Sequence, residues 1–238
     1  MVPSIILLVL GSVMSVVFIV SKVTNYSLKT IIFKTVASCF FVALAIVCCF
    51  LTSDVHIPFK VLATVGLFFG LLGDVFLGFK YITKGKVQKL FVLLGMFAFA
   101  FGHISYILAL LIGFYIPGHA WAMCTSFLLP IVIISCYMVV AKKVGINFGH
   151  GMLAFGLFYL YCLTMMFSSA LSMAILYEFK ETTLVLYFIG AFSFVCSDFM
   201  LTGSYFKAGE RPKWYRALYS VFYYVAQFLI AFSIFFLI

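Results

Sequence analysis

The sequence predicts an all-α membrane protein of eight transmembrane helices, arranged as two four-helix parallel repeats. Three observations carry this: the composition, the number of apolar runs, and the placing of the few charges. A chain of 238 residues with 66% apolar side chains, 9% charged ones and a mean hydropathy of +1.28 has more apolar surface than one globule of its size can bury. Eight runs come near the length of about 20 residues needed to cross hydrocarbon, at roughly 3–21, 30–51, 58–79, 89–113, 120–141, 151–176, 182–203 and 215–238. Together they take up nearly the whole chain, which reads as a single integral membrane domain over 1–238 with possible repeat halves at 1–115 and 116–238.

The first run has no basic region before it and no clear small-x-small cleavage site, so it reads as a span and not as a removed signal peptide. The second carries Lys34 near its start, where a lysine can snorkel to the interface. The third holds Asp74 in GLFFGLLGDVFLGF, and the fourth holds His103 with Tyr106 one helical turn on. Pro130 interrupts the fifth, and Tyr161 lies in the sixth. The seventh holds Asp198 in FIGAFSFVCSDFMLTG, and the eighth holds Tyr224 and Gln227.

Twelve basic residues follow the odd-numbered spans: Lys22 and Lys29, then Lys80, Lys84, Lys86 and Lys89, then Lys142 and Lys143, then Lys207, Arg211, Lys213 and Arg216. Only Lys60 and Lys180 flank the other side, so the positive-inside rule puts the odd-numbered loops in the cytoplasm and both termini outside or in the lumen. This distribution accounts for the formal charge of +9 as topology and headgroup contact, without nucleic acid as a partner. All seven cysteines lie inside apolar runs without metal-ligand spacing or a disulfide framework, and read as small packing residues. No metal or cofactor is expected.

Asp74 and Asp198 are two of only six acidic residues, and a carboxylate in hydrocarbon marks a functional site by default. Their surroundings match, Gly73-Asp74-Val75-Phe76-Leu77 against Ser197-Asp198-Phe199-Met200-Leu201, at a separation of 124 residues. The same step from His103 reaches Gln227. An even number of spans between equivalents gives parallel halves, an arrangement that often places a site at their interface. At the helical rise, both aspartates lie about 9 Å from the cytoplasmic end of their spans and His103 about 21 Å from the same face. One cavity opening to the cytoplasm would reach all three.

There is no nucleophile elbow, HExxH motif, phosphate loop or Cys/His cluster. Two carboxylates with water remain as catalytic apparatus, and two that share a cavity divide into an acid and an anion. The same inventory also suits a proton- or cation-coupled transporter in which Asp74, Asp198 and His103 form a relay, or a structural role in helix packing. Against the transporter stands the lack of Gly/Pro-broken spans at equivalent places, since Pro130 has no partner in the first span.

Five segments in order, IIFKTVAS, GLLGDVFL, GHISYIL, FVCSDFML and RALYSVFYYVAQFLIAFS, resemble those of the YhhN-like membrane proteins, which include the animal lysoplasmalogenases. The resemblance covers nearly the whole chain and is closest to animal members in the last segment; Thr35 and Val36 follow Lys34 where many members have proline nearby. It implies hydrolysis of the vinyl ether bond of lysoplasmalogens to a fatty aldehyde and glycerophosphoethanolamine or glycerophosphocholine. On that reading Asp74 and Asp198 are the acid/base pair, with neither role assigned to either. Lys34 binds the lipid phosphate or sets a carboxylate's charge, and His103, Tyr106, Tyr161, Tyr224 and Gln227 support water and the aspartates. The partners are the lysophospholipid and membrane lipids. The membrane is the endoplasmic reticulum in a eukaryote and the inner membrane in a bacterium.

Overall fold

The computed structural model describes residues 2–24, 26–53, 56–146, 153–206, 209 and 211–237. Lys207 and the first two residues of the expected sixth span lie outside the described residues. Among those described there are eight long helices: α1 (Val2–Thr24), α2 (Leu28–Leu51), α3 (Ile57–Phe79), α4 (Gly85–Phe114), α5 (Ala120–Lys143), α6 (Leu153–Leu176), α7 (Thr182–Phe206) and α8 (Lys213–Ser233). Each is long and apolar enough to cross a membrane, as the sequence predicts, and the chain is a multi-pass integral membrane protein. In hydrocarbon only such helices satisfy every backbone group internally, which is why the apolar runs fold this way. Local signals set the ends. Thr30 Oγ1 accepts the Ser27 N–H at 3.1 Å at the start of α2, and Pro58 occupies the first turn of α3, where its missing N–H costs no bond.

Short connections make consecutive helices antiparallel. Contacts across the bundle agree: Lys22 near the end of α1 bonds Ser220 near the start of α8, and Tyr215 OH in the first turn of α8 donates to Met200 O of α7 at 2.8 Å. The ends of α1, α3 and α7 therefore meet the start of α8 at one pole, the basic one. Helices pack pairwise as α1 on α2, α3 on α4, α5 on α6 and α7 on α8, with α4 also against α6 and α8 against α1 and α2. α1 and α5 are the least buried and lie at the periphery.

Lipid is as apolar as leucine, so tight helix packing inside a bilayer depends on small residues that let neighbours approach. Gly66, Gly70 and Gly73 serve this on one face of α3. A Cβ on Gly66 would lie 2.3 Å from the Tyr106 ring, one on Gly70 2.5 Å from Gln227 Nε2, and one on Gly73 2.6 Å from the Phe99 ring. These glycines seat the polar residues of α4 and α8 beside Asp74. Gly66→Ala is accordingly expected to destabilise the protein by about 1–3 kcal/mol through overpacking. Thermal unfolding in detergent reads this as a lower Tm, and an unchanged Tm would show that the ring has room to move.

Candidate functional site

Between α1, α2, α3, α4, α6, α7 and α8 lies a cavity running from Tyr26, Tyr81 and Tyr205 at the basic pole to Asp74 and Asp198 within the bundle. Its walls are mostly apolar, formed by Leu77, Met96, Phe99 and Phe194 among others. Both aspartates line it, yet their side chains are almost completely enclosed, at 1% exposure for Asp74 and 4% for Asp198.

The two carboxylates have unlike partners. Asp74 Oδ1 pairs with Lys34 Nζ at 2.8 Å, and its Oδ2 accepts Ser38 Oγ at 2.5 Å and Tyr223 OH at 2.6 Å. Helical geometry explains the set, because Lys34 and Ser38 stand one turn apart on the face that α2 turns to α3. A cation and two hydroxyl donors compensate a buried carboxylate in its charged form. Lys34 is thus no snorkelling residue; it is 14% exposed and held by Asp74. Behind this set a chain of hydrogen bonds continues: Gln227 Nε2 donates to Tyr223 OH at 3.0 Å, and Tyr106 OH donates to Gln227 Oε1 at 2.9 Å.

Asp198 has no cation within ion-pairing distance among the described residues. Its Oδ2 accepts a short hydrogen bond from Tyr159 OH, and its Oδ1 a long one of 3.4 Å from the neighbouring Ser197 hydroxyl. His103 stands behind Tyr159, with Nε2 at 3.4 Å from the Tyr159 oxygen and Nδ1 at 3.4 Å from Met166 Sδ. The imidazole is 1% exposed and lies outside the cavity wall, so its link to the carboxylate runs through Tyr159.

Of the residues singled out in the sequence, the structure therefore puts Asp74, Asp198 and Lys34 on the cavity and His103, Tyr106 and Gln227 in the layer behind. Two stand off the cavity wall. Tyr161 OH donates to Phe127 O of α5 at 3.2 Å, turned away from the cavity. Tyr224 lines an outer groove between α1 and α8, its ring 5.7 Å from that of Phe18, with its OH 3.5 Å from Lys34 O and hydrogen-bonded to the Ser38 side chain behind Asp74. In their places stand Tyr159 and Tyr223, each bonded directly to an aspartate. Tyr223 is one turn from Gln227, a spacing that points to it; nothing in the sequence separates Tyr159 from the other tyrosines of the chain. Ser38 and Ser197 are the serine donors to the carboxylates; Ser38 is four residues from Lys34, and Ser197 adjoins Asp198.

A carboxylate paired with a lysine, a second one with only hydroxyl partners and a mostly apolar cavity are the groups that acid-assisted chemistry on an amphiphile would use. No group of three or more His, Cys, Asp or Glu side chains able to hold a metal occurs among the described residues.

The family model of the YhhN family matches residues 29–234 of the chain. Neither the curated proteins nor the solved structures contain a match.

Proposed function

The chain belongs to the YhhN family, and from that premise and its two unlike carboxylates on one cavity we propose that it is a lysoplasmalogenase. The reaction is hydrolysis of the vinyl ether of a lysoplasmalogen, bearing ethanolamine or choline, to a fatty aldehyde and the glycerophospho-alcohol. The difference between the aspartates carries the reading. A vinyl ether is inert to nucleophiles until its β-carbon takes a proton, so the enzyme must hold an acid beside an anion.

Asp198, without a cation, is the proton donor to the β-carbon, and the π electrons of the double bond form the new C–H bond. The resulting oxocarbenium ion is stabilised by the Asp74 carboxylate, whose charge Lys34, Ser38 and Tyr223 hold in place. Water adds to the α-carbon and gives its proton to Asp74, forming a hemiacetal. Collapse of the hemiacetal transfers its hydroxyl proton to the departing glycerol oxygen, and the aldehyde leaves. The proton on Asp74 returns to Asp198 through water, and one water molecule has been consumed. Tyr159 orients the Asp198 carboxyl, and His103 orients Tyr159. Apolar walls suit the alkenyl chain, which enters from the bilayer between helices. The site of action is the endoplasmic reticulum membrane in a eukaryotic cell and the inner membrane in a bacterium.

The proposal is tested by aldehyde release from a purified lysoplasmalogen by the detergent-solubilised protein. A rate no higher than that of empty micelles, alongside pH-driven ion flux in proteoliposomes, would replace the hydrolase with the transporter. Tyr159→Phe removes one hydrogen bond to a reacting carboxyl, a loss of about 1.5–3 kcal/mol, or roughly 10- to 150-fold in rate. The expected fall is in kcat with KM little changed; equal kcat would remove Tyr159 from the site.

A further inference from the structure

The sequence offers Lys34 for the lipid phosphate, but in the structure its ammonium is engaged with Asp74 deep in the bundle. Lys22 is a different case. It lies near the end of α1, counted in the sequence only as a topology signal, yet its side chain lines the cavity toward the basic pole. Its Nζ donates to Ser220 Oγ at 2.7 Å and sits 4.1 Å from the centre of the Tyr219 ring and 5.5 Å from that of Phe18. Ser220 in turn donates to Arg216 O at 2.9 Å, which leaves its oxygen free to accept from Lys22. One of three ammonium donors is thereby used. No carboxylate lies within ion-pairing distance of Lys22 among the described residues.

More positive charge gathers around it. Lys34 lines the same cavity, and Arg216 stands one helical turn before Ser220 on α8. Arg216 Nε is buried without a hydrogen-bond partner, and Lys80 Nζ stands 3.1 Å from the centre of the Tyr205 ring, itself part of the cavity wall. Lys80 lies beyond the end of α3, where burial and then the charge of Lys34 push its ammonium down to about 7. Such a cluster costs free energy until an anion joins it. The mouth is thus built for an anion that a neutral amphiphile would not supply.

We infer that Lys22 is the phosphate-binding residue of this cavity, holding the phosphodiester of a lysophospholipid at the basic pole while the chain beyond it reaches Asp74 and Asp198. Lys80 and Arg216 strengthen the local positive field without lining the wall. This rests on the proposed lysoplasmalogenase reading for the identity of the lipid, but the binding it describes needs no turnover. It also divides the labour of the two interior lysines: Lys22 serves the headgroup and Lys34 the catalytic anion.

The test compares binding of a saturated alkyl-ether lysophosphatidylethanolamine, which has no vinyl ether to cleave, with that of the matching alkylglycerol, which has no phosphate. The full-length protein in detergent is expected to prefer the phospholipid by about tenfold or more, as a charge-assisted contact in a dry site provides. Lys22→Met and Lys22→Gln should bring the two ligands close to equal affinity, and Lys22→Arg should retain most of the preference. Glutamine keeps a polar group at this position without the charge, and unchanged alkylglycerol affinity shows the cavity intact. Inorganic phosphate that displaces the lipid from wild type but not from Lys22→Gln would still place a phosphate on Lys22, with the free ion as its source. A wild-type preference that survives in both neutral variants overturns the inference. A Lys22-dependent preference without aldehyde from the vinyl ether lipid would instead sink the proposed reaction and leave the phosphate site standing.

Discussion

Asp198→Asn is expected to lower kcat for aldehyde release by about 10²- to 10⁴-fold, the range that a positioned general acid contributes. Asparagine keeps the shape of the side chain and can still meet Tyr159 and Ser197, but it has no acidic proton to give to carbon. Its binding of a saturated ether lysophospholipid should therefore stay within about threefold of wild type. Asp74→Asn should be as inactive for a different reason: the oxocarbenium ion loses its counter-charge, and Lys34 is left without a partner. A rate near wild type in either variant would remove that residue from the chemistry. Residual activity that falls further in the double variant, as an independent sum, would show that the two carboxylates do not act as one unit.

The second large effect concerns stability. Lys34→Met leaves Asp74 as an enclosed carboxylate whose remaining donors are two hydroxyls, and breaking a buried ion pair from one side costs about 3–5 kcal/mol. Such a loss is a large share of the stability of an ordinary domain. The paired change Lys34→Met with Asp74→Asn removes both charges together and is expected to recover most of the lost Tm, though none of the activity. Single losses that simply add in the double variant would mean that the pair at 2.8 Å contributes no coupling. Thermal unfolding of the three variants in one detergent decides between these outcomes.

How far the sequence reaches is clearest at the level of single residues. Helix positions follow from apolar length alone, because the bilayer admits few other structures, and every expected span meets a helix among the described residues. Asp74 and Asp198 stand out for the same reason: hydrocarbon makes an ionisable group conspicuous. Lys34 is visible too, but not its partner, since snorkelling and ion pairing read alike until α2 is set against α3. The tyrosines show the limit. Fourteen of them occur in the chain, and which ring meets a carboxylate depends on helix rotation, which apolar periodicity leaves open when a helix is apolar all round. Tyr224 and Tyr223 differ by one residue, or about 100° around α8, and that rotation separates an outer groove from the cavity that holds the aspartates.

The step of 124 residues that relates the aspartates also bears on their difference. Applied to Lys34 it reaches Phe158, so the cation has no counterpart beside Asp198. The supporting residues follow a crossed pattern. Asp74 on α3 is backed by Gln227 on α8, through Tyr223, while Asp198 on α7 is backed by His103 on α4, through Tyr159. Asp74 thus draws on α8 and Asp198 on α4, and a lysine beside the first with none beside the second makes the two carboxylates chemically unlike.

The proposed reaction turns on delivery of a proton to carbon within the cavity. Hydrolysis of a lysoplasmalogen by the purified protein in deuterium oxide tests it, with the aldehyde trapped as it forms and weighed by mass spectrometry. The mechanism predicts one deuterium at the carbon next to the aldehyde carbonyl in each product molecule, formed at a rate that collapses in Asp198→Asn. Aldehyde without that deuterium, or none from the wild-type protein, would contradict the account.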